Sequence, residues 1–304
     1  MSQLVLTGVS RWYGNVVAVN DVTMAVGPGI TGLLGPNGAG KSTILNMMGG
    51  FLAPSSGTVT LDGEAVWHNT DAYRRIGIVP EREALYDGIT GRQFVMANAR
   101  LHRLADPAAA TDRALAVVEM TEPADRGLAT YSKGMKQRVK MATALVHDPD
   151  VLLLDEPFNG MDPRQRMQLM DVLRSMAAAG RTVMVSSHIL EEVQQIADRI
   201  QVVVAGRHAA SGDFREIRRL MTERPHQYTI RCSDPHALAS ALIADVSAAG
   251  VSVGGDGVNV QATDVNRFAR LLPQAARAQG VRLHEVIPAD ESLESVFAYL
   301  VARR

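Results

Sequence analysis

A chain of 304 residues is longer than one small domain, so two domains are expected. Its 46% hydrophobic content supports a sizeable buried core, and a formal net charge of −1 gives no basic excess of the kind that drives nucleic-acid binding. No apolar run approaches the roughly 18 residues of a spanning helix, so work at a membrane needs a separate spanning partner.

The first residues, MSQLVLTGVSRWYG, lack the charged-then-apolar plan of a secretory signal. ITGLLG (Ile30 to Gly35) reads as a buried parallel strand, followed by an amphipathic helix from Lys41 to Phe51. From about Thr90 to His147 the texture is helical only. Thr90 with Gln93 fits a capping box, and Met135, Val139, Ala142, Leu145 and Val146 recur at helical spacing after Ser132. VLLLD (Val151 to Asp155) and TVMVSSH (Thr182 to His188) are further buried strands, each followed by a helix, Arg164 to Ala179 and Ile189 to Ala197. Strands alternating with helices predict an α/β core with ligand loops at the strand C-termini, carrying an inserted helical subdomain.

TERPHQ (Thr222 to Gln227) reads as a linker. After it come a strand (Tyr228 to Cys232), a helix (Pro235 to Ala249) and a hairpin around GGDG (Gly254 to Gly257). A helix (Asp264 to Gln279), a strand (Val281 to Ile287) and a last helix (Asp290 to Ala302) follow. The βαββαβ order suggests a small α+β ferredoxin-like domain with an added helix. Domains are therefore expected at 1–221, with the helical subdomain at about 90–147, and at 222–304. Cys232 stands alone, which precludes an intramolecular disulfide and favours an intracellular location.

GPNGAGKST comprises Gly35, Pro36, Asn37, Gly38, Ala39, Gly40, Lys41, Ser42 and Thr43, and matches G-x-x-x-x-G-K-[ST] between a strand and a helix. Glycines let backbone N–H groups curl around a diphosphate. Lys41 reaches the terminal phosphates, and the Ser42 hydroxyl can ligate Mg²⁺. LLLDEP adds two carboxylates at a strand end. Asp155 can hold Mg²⁺ through water, while Glu156, pointing to the other side of the strand, can act as base for the attacking water. His188 ends another core strand at the same ligand edge and can hydrogen-bond a γ-phosphate.

YSKGMKQR (Tyr131 to Arg138) opens a second helix with small residues, although one nucleotide needs only one phosphate cradle. With the phosphate loop, VLLLDEP, NGMDP (Asn159 to Pro163) and SSH (Ser186 to His188) in this order, residues 2 to 220 resemble the nucleotide-binding subunit of an ABC transporter. The resemblance implies a P-loop NTPase core that binds ATP with Mg²⁺. It also implies a head-to-tail sandwich dimer with a second copy or a homologous subunit. Ser132 and Gly134, in the family's signature segment, would then close over the partner's nucleotide, with Asp162 among the nucleotide-contacting residues. Tyr13 aligns with the aromatic residue that stacks on adenine, Trp12 being the competing neighbour. The form with Lys133 and Met135 resembles bacterial exporter ATPases, whose membrane permease is a separate chain. That implies a peripheral place on the cytoplasmic face of the membrane, with ATP hydrolysis powering export and no nucleic acid as partner.

Where the family usually has a glutamine, IGIVPEREALYDG places Glu81, a hard oxygen donor that either reaches the metal or turns outward to the contact with the membrane subunit. The competing readings are soluble cassette ATPases, acting on ribosomes or in regulation. The ribosomal kind usually carries two cassettes, whereas here there is one phosphate loop. DNA-maintenance ATPases separate loop and signature by a long coiled coil, and no sustained heptads occur here.

Overall fold

The computed structural model describes residues 2–82, 85–86, 88–188, 190–213, 226–243, 248–255 and 257–288. The chain divides into two compact units, Met1–Asp213 and Phe214–Arg304.

At the centre of the first unit is a six-stranded sheet. Its strands are β3 (Gly29–Leu34), β6 (Ile76–Val79), β7 (Val151–Asp155), β8 (Thr182–Ser187), β9 (Arg199–Val204) and β10 (Arg207–Gly212). They lie in the order β10-β9-β3-β8-β7-β6, all parallel except the edge strand β10. The apolar runs predicted as strands are buried on both faces because the sheet has a core on each side. Val151 and Leu153 of β7 point into one, and Leu152 and Leu154 into the other. That division follows from the two-residue side-chain period of a strand.

One core is closed by a four-stranded antiparallel sheet in the order β2-β1-β4-β5, from Leu4–Tyr13 (β1), Val16–Val26 (β2), Ser56–Leu61 (β4) and Glu64–Ala65 (β5). No sequence pattern above announced it. The reason lies in β1, where the pairing with β2 shifts register between Leu6 and Val9 and again around Arg11. Each bulge resets the alternation that marks a half-buried strand. The helix α1 (Lys41–Met48) lies against this core. It stops three residues before the predicted Phe51, with Gly49 as its C-cap. A short helix α2 (Thr70–Arg75) precedes β6.

The other core is closed by α3 (Gly91–Leu101), α4 (Pro107–Val117) and α5 (Lys133–Leu145) of the helical region, and by α6 (Pro163–Ala178). The predicted capping box at Thr90 and Gln93 is present in both directions. A second one, Asp162 with Gln165, opens α6 with Pro163 at its first turn. The helix α7 (Leu190–Ile196) follows β8.

In the second unit, β11 (His226–Cys232), α8 (Pro235–Ile243), β12 (Ala248–Gly254), β13 (Gly257–Ala262), α9 (Val265–Ala278) and β14 (Leu283–Pro288) form an antiparallel sheet and two helices. The strand order β12-β13-β11-β14 is that of a ferredoxin-like unit, around Ile230, Leu238, Val258 and Phe268. Two boundaries differ from the sequence reading. His226 and Gln227, read as linker, already pair with Ala262 and Gln261 in the sheet. Ala248 and Ala249, read as the end of a helix, stand in β12, where pairing with β13 overrides the helical preference of alanine. The rest of the predicted linker, the 221/222 boundary and the last helix, Asp290 to Ala302, lie outside the described residues.

Candidate active site

The loop leaving β3 wraps around the start of α1. Gly38 and Gly40 take φ of +79° and +98°, and a Cβ at Gly40 would lie 2.6 Å from the Ala18 carbonyl oxygen. Only glycine closes the turn there. Asn37 and Gly38 face solvent, Ala39 is buried with its N–H donating to the Pro36 carbonyl at 3.1 Å, and Ser42 and Thr43 are half-buried. Lys41, the first residue of α1, is buried, and its Nζ donates to the carbonyls of Gly35 (2.7 Å) and Pro36 (3.3 Å). Burial pushes its pKa down, while Glu156, Asp155 and Glu81, in falling order, pull it back up.

Those three carboxylates come from strands aligned beside the loop. Val79 of β6 pairs with Leu154 of β7, and Asp155 pairs with Ser186 of β8, so the strands end level. Glu81 therefore follows β6 at the edge where Asp155 and Glu156 end β7 and His188 follows β8. Asp155 is buried, and its Oδ1 accepts the Ser186 hydroxyl at 2.5 Å. Glu156 is also buried and turns out of the strand with φ +51°, a left-handed conformation that costs a non-glycine residue about 1–3 kcal/mol. Its N–H is held at 3.2 Å by both the carbonyl and the hydroxyl of Ser186. The turn aims the side chain at His188, whose Nδ1 lies 2.8 Å from Oε2. Burial raises the Glu156 pKa, opposed by the hydrogen bond and charge of His188 and by Lys41.

Ser186 is a site residue that the sequence reading missed, though a signal was present. Two hydroxyls end an otherwise apolar buried strand, and a buried hydroxyl needs a partner. Lys140 was missed as well. It is a buried lysine on α5 whose Nζ donates to the carbonyl oxygens of Pro80, Glu81 and Arg82.

The remaining predicted residues stand apart from this cluster. Ser132 caps α5, its exposed hydroxyl accepting the Met135 N–H at 3.3 Å. Gly134 is packed so tightly that a Cβ would come within 2.5 Å of Gln165 Oε1 and 3.2 Å of the Gly160 carbonyl. Asp162 caps the neighbouring α6, so α5 and α6 start side by side. Tyr13 ends β1, 47% exposed, with the Arg11 guanidinium 4.8 Å from its ring centroid; Trp12 is equally open at 45%.

A family model described as ABC transporter matches residues 19–159. The daunorubicin resistance ATP-binding protein DrrA3 of Streptomyces coeruleorubidus is 34% identical over 304 residues, covering 98% of this chain and 95% of that relative. Nod factor export ATP-binding protein I of Rhizobium meliloti (strain 1021) is 34% identical over 312 residues, or 98% of this chain and 88% of its own. Among solved structures, an ATP-binding subunit of an ABC transporter superimposes with a TM-score of 0.66 at 28% identity, over 72% of this chain and 92% of that one. A dimeric bacterial ABC transporter cassette shares the fold, with a TM-score of 0.65 at 24% identity over 69% and 97% of the two chains. The likeness extends over nearly the whole chain instead of stopping at the phosphate loop, and the chain therefore belongs to the ABC transporter family, as an ATP-binding and ATP-hydrolysing subunit.

Proposed function

We propose that the protein powers efflux by Mg²⁺-dependent ATP hydrolysis at a site completed by a second copy of itself. It would work peripherally at the cytoplasmic face of the membrane, with a separate transmembrane permease as its partner. The observation that carries the reading is Glu156, buried, turned by its positive φ and held at 2.8 Å by His188 within electrostatic reach of Lys41. In this arrangement Glu156 takes a proton from the attacking water. His188 orients that carboxylate through Nδ1, and with both ring nitrogens protonated its Nε2–H would donate to the γ-phosphate. Tyr13, open at the end of β1, supplies a stacking face for adenine.

The donor set suits Mg²⁺. Ser42, Asp155 and Glu81 provide hard oxygens, and this ion is ordinarily held by one or two carboxylates together with substrate phosphates. When bound, it would neutralise phosphate charge during transfer. Exchanging Glu81→Gln removes one negative charge beside Asp155 and Glu156 and supplies an amide donor for the water. A lower Mg²⁺ concentration at half-maximal ATPase rate is expected for the isolated subunit. Identical Mg²⁺ titration curves would assign Glu81 to the permease contact instead.

The start of α5 supports a second copy. Ser132 is exposed at a helix N-terminus, and Gly134 behind it carries no side chain, a combination suited to a phosphate brought by another chain. Ser132→Arg places a bulky cation there without touching the phosphate loop. ATP binding to the single chain should persist while turnover is lost, and equal hydrolysis by variant and wild type would remove the signature reading.

For the permease, the first unit offers a cavity of about 330 Å³ lined by Phe51, Tyr73, Leu101, His102 and His147. Phe51 and Leu101 are 64% and 80% exposed at its rim, leaving an apolar surface open among the described residues. Burial beside His102 lowers the His147 pKa to about 4, so this ring is uncharged at neutral pH, as an apolar partner requires. The two relatives named above, one for drug resistance and one for Nod factor export, favour efflux over a soluble role on ribosomes or in regulation. No helix among the described residues is long and apolar enough to cross a membrane.

A further inference from the structure

We propose that Lys140 is a positioning residue that ties the helix reaching the partner's nucleotide to the segment carrying Glu81 at the chain's own site. Lysine is almost never fully buried, because its ammonium forfeits its hydration. Yet Lys140 is only 4% exposed. Its Nζ donates to three consecutive backbone carbonyls, those of Pro80 at 2.7 Å, Glu81 at 3.3 Å and, at the outer limit, Arg82 at 3.5 Å. These three acceptors are backbone oxygens of one short segment, so the ammonium grips the main chain there.

The three carbonyls lie just past the end of β6, where the ladder to β7 has stopped at Val79 and Leu154. The side chains of Glu81 and Arg82 are exposed, so neither anchors the segment by burial. Lys140 supplies the anchor from α5. Two turns back along that helix, about 10 Å at 1.5 Å per residue, lie Ser132 and Gly134. On the other side, Glu81 follows β6 at the edge where β7 ends in Asp155, the two strands being level at Val79 and Leu154. A continuous path therefore runs from the start of α5, through the Lys140 ammonium and the Glu81 backbone, to the strand edge where Asp155 and Glu156 stand. A shift of α5 when it engages a partner's nucleotide moves the Glu81 segment with it. This inference rests on the sandwich reading, because α5 has nothing to engage without a second copy.

The test compares full-length wild type, Lys140→Met, Lys140→Arg and Ser132→Arg in ATP affinity by calorimetry, kcat, KM, Mg²⁺ dependence and thermal midpoint. Lys140→Met keeps the length of the side chain and removes its charge. Its kcat should fall about 10- to 100-fold, the usual scale for a misplaced catalytic group, with ATP affinity within about twofold of wild type. Lys140→Arg should recover most of the rate. Exchanging Glu81→Gln in the Lys140→Met background should no longer shift the Mg²⁺ curve, since the segment is already released. If Lys140→Met does not fold, Lys140→Gln, which keeps an amide donor, decides by the same criteria. A wild-type kcat and Mg²⁺ curve for Lys140→Met, with Ser132→Arg inactive, overturns the proposal and leaves the sandwich standing. Parallel losses of affinity, rate and thermal midpoint mark a purely structural lysine and overturn it too. Full activity of Ser132→Arg removes the sandwich and the coupling together, whatever Lys140→Met does.

Discussion

Glu156→Gln should bind ATP with near wild-type affinity and hydrolyse it about 10²–10⁴-fold more slowly, the usual cost of deleting a positioned general base. The substitution is close to isosteric, so the left-handed turn at φ +51° and its two 3.2 Å backbone contacts to Ser186 have no reason to change. What disappears is the proton acceptor, and His188 Nδ1 meets an amide where it met a carboxylate at 2.8 Å. Single-turnover kinetics measure the effect on chemistry without product release. The wild-type rate should also carry the signature of this carboxylate. Burial raises the Glu156 pKa, so the ionised base is lost on acidification at a higher pH than a solvated carboxylate would show. That acid limb should be absent from the residual rate of Glu156→Gln.

Lys41→Ala should lose ATP affinity by about 10- to 100-fold, the equivalent of about 1.5–3 kcal/mol for hydrogen bonds to a charged group. Lys41 is buried with its ammonium turned onto the carbonyls of Gly35 and Pro36, and its charged form is disfavoured by that burial. A phosphate arriving at the loop replaces two neutral acceptors with anionic oxygens, so the gain from charge is concentrated in this side chain. The loop backbone, set by Gly38 and Gly40, does not depend on it. Calorimetric titration with ATP reads the change, and retained affinity would argue against Lys41 as the phosphate ligand.

Much of this site was legible because phosphate chemistry constrains sequence locally. The loop at Gly35 to Thr43, the carboxylates at Asp155 and Glu156, and His188 each sit within a few residues of an apolar strand whose end fixes their position. The parallel strands β3, β7 and β8 were readable as buried apolar runs, whereas β6 and β9 were not predicted. The antiparallel sheet was not readable, because the bulges in β1 break the two-residue period. Ser186 and Lys140 escaped for a different reason. Their roles come from pairing across 31 and about 60 residues of chain; the buried serines signalled that Ser186 needs a partner, but no local pattern says which one. The helix read through Ala249 failed where alanine favoured a helix locally and the neighbouring strand β13 decided otherwise. In both units, sequence was informative where one element sufficed and silent where two had to meet.

On the proposed function, two chains close over ATP, each lending the start of α5 to the other's phosphate loop. Light scattering on Glu156→Gln during gel filtration tests it most directly, because a chain that binds but does not hydrolyse should remain closed. The account predicts a monomer without nucleotide, a dimer of twice that molar mass with Mg²⁺ and ATP, and a return to monomer when Ser132→Arg is added. A Glu156→Gln protein that binds ATP, turns over at the wild-type rate and stays monomeric throughout would contradict it.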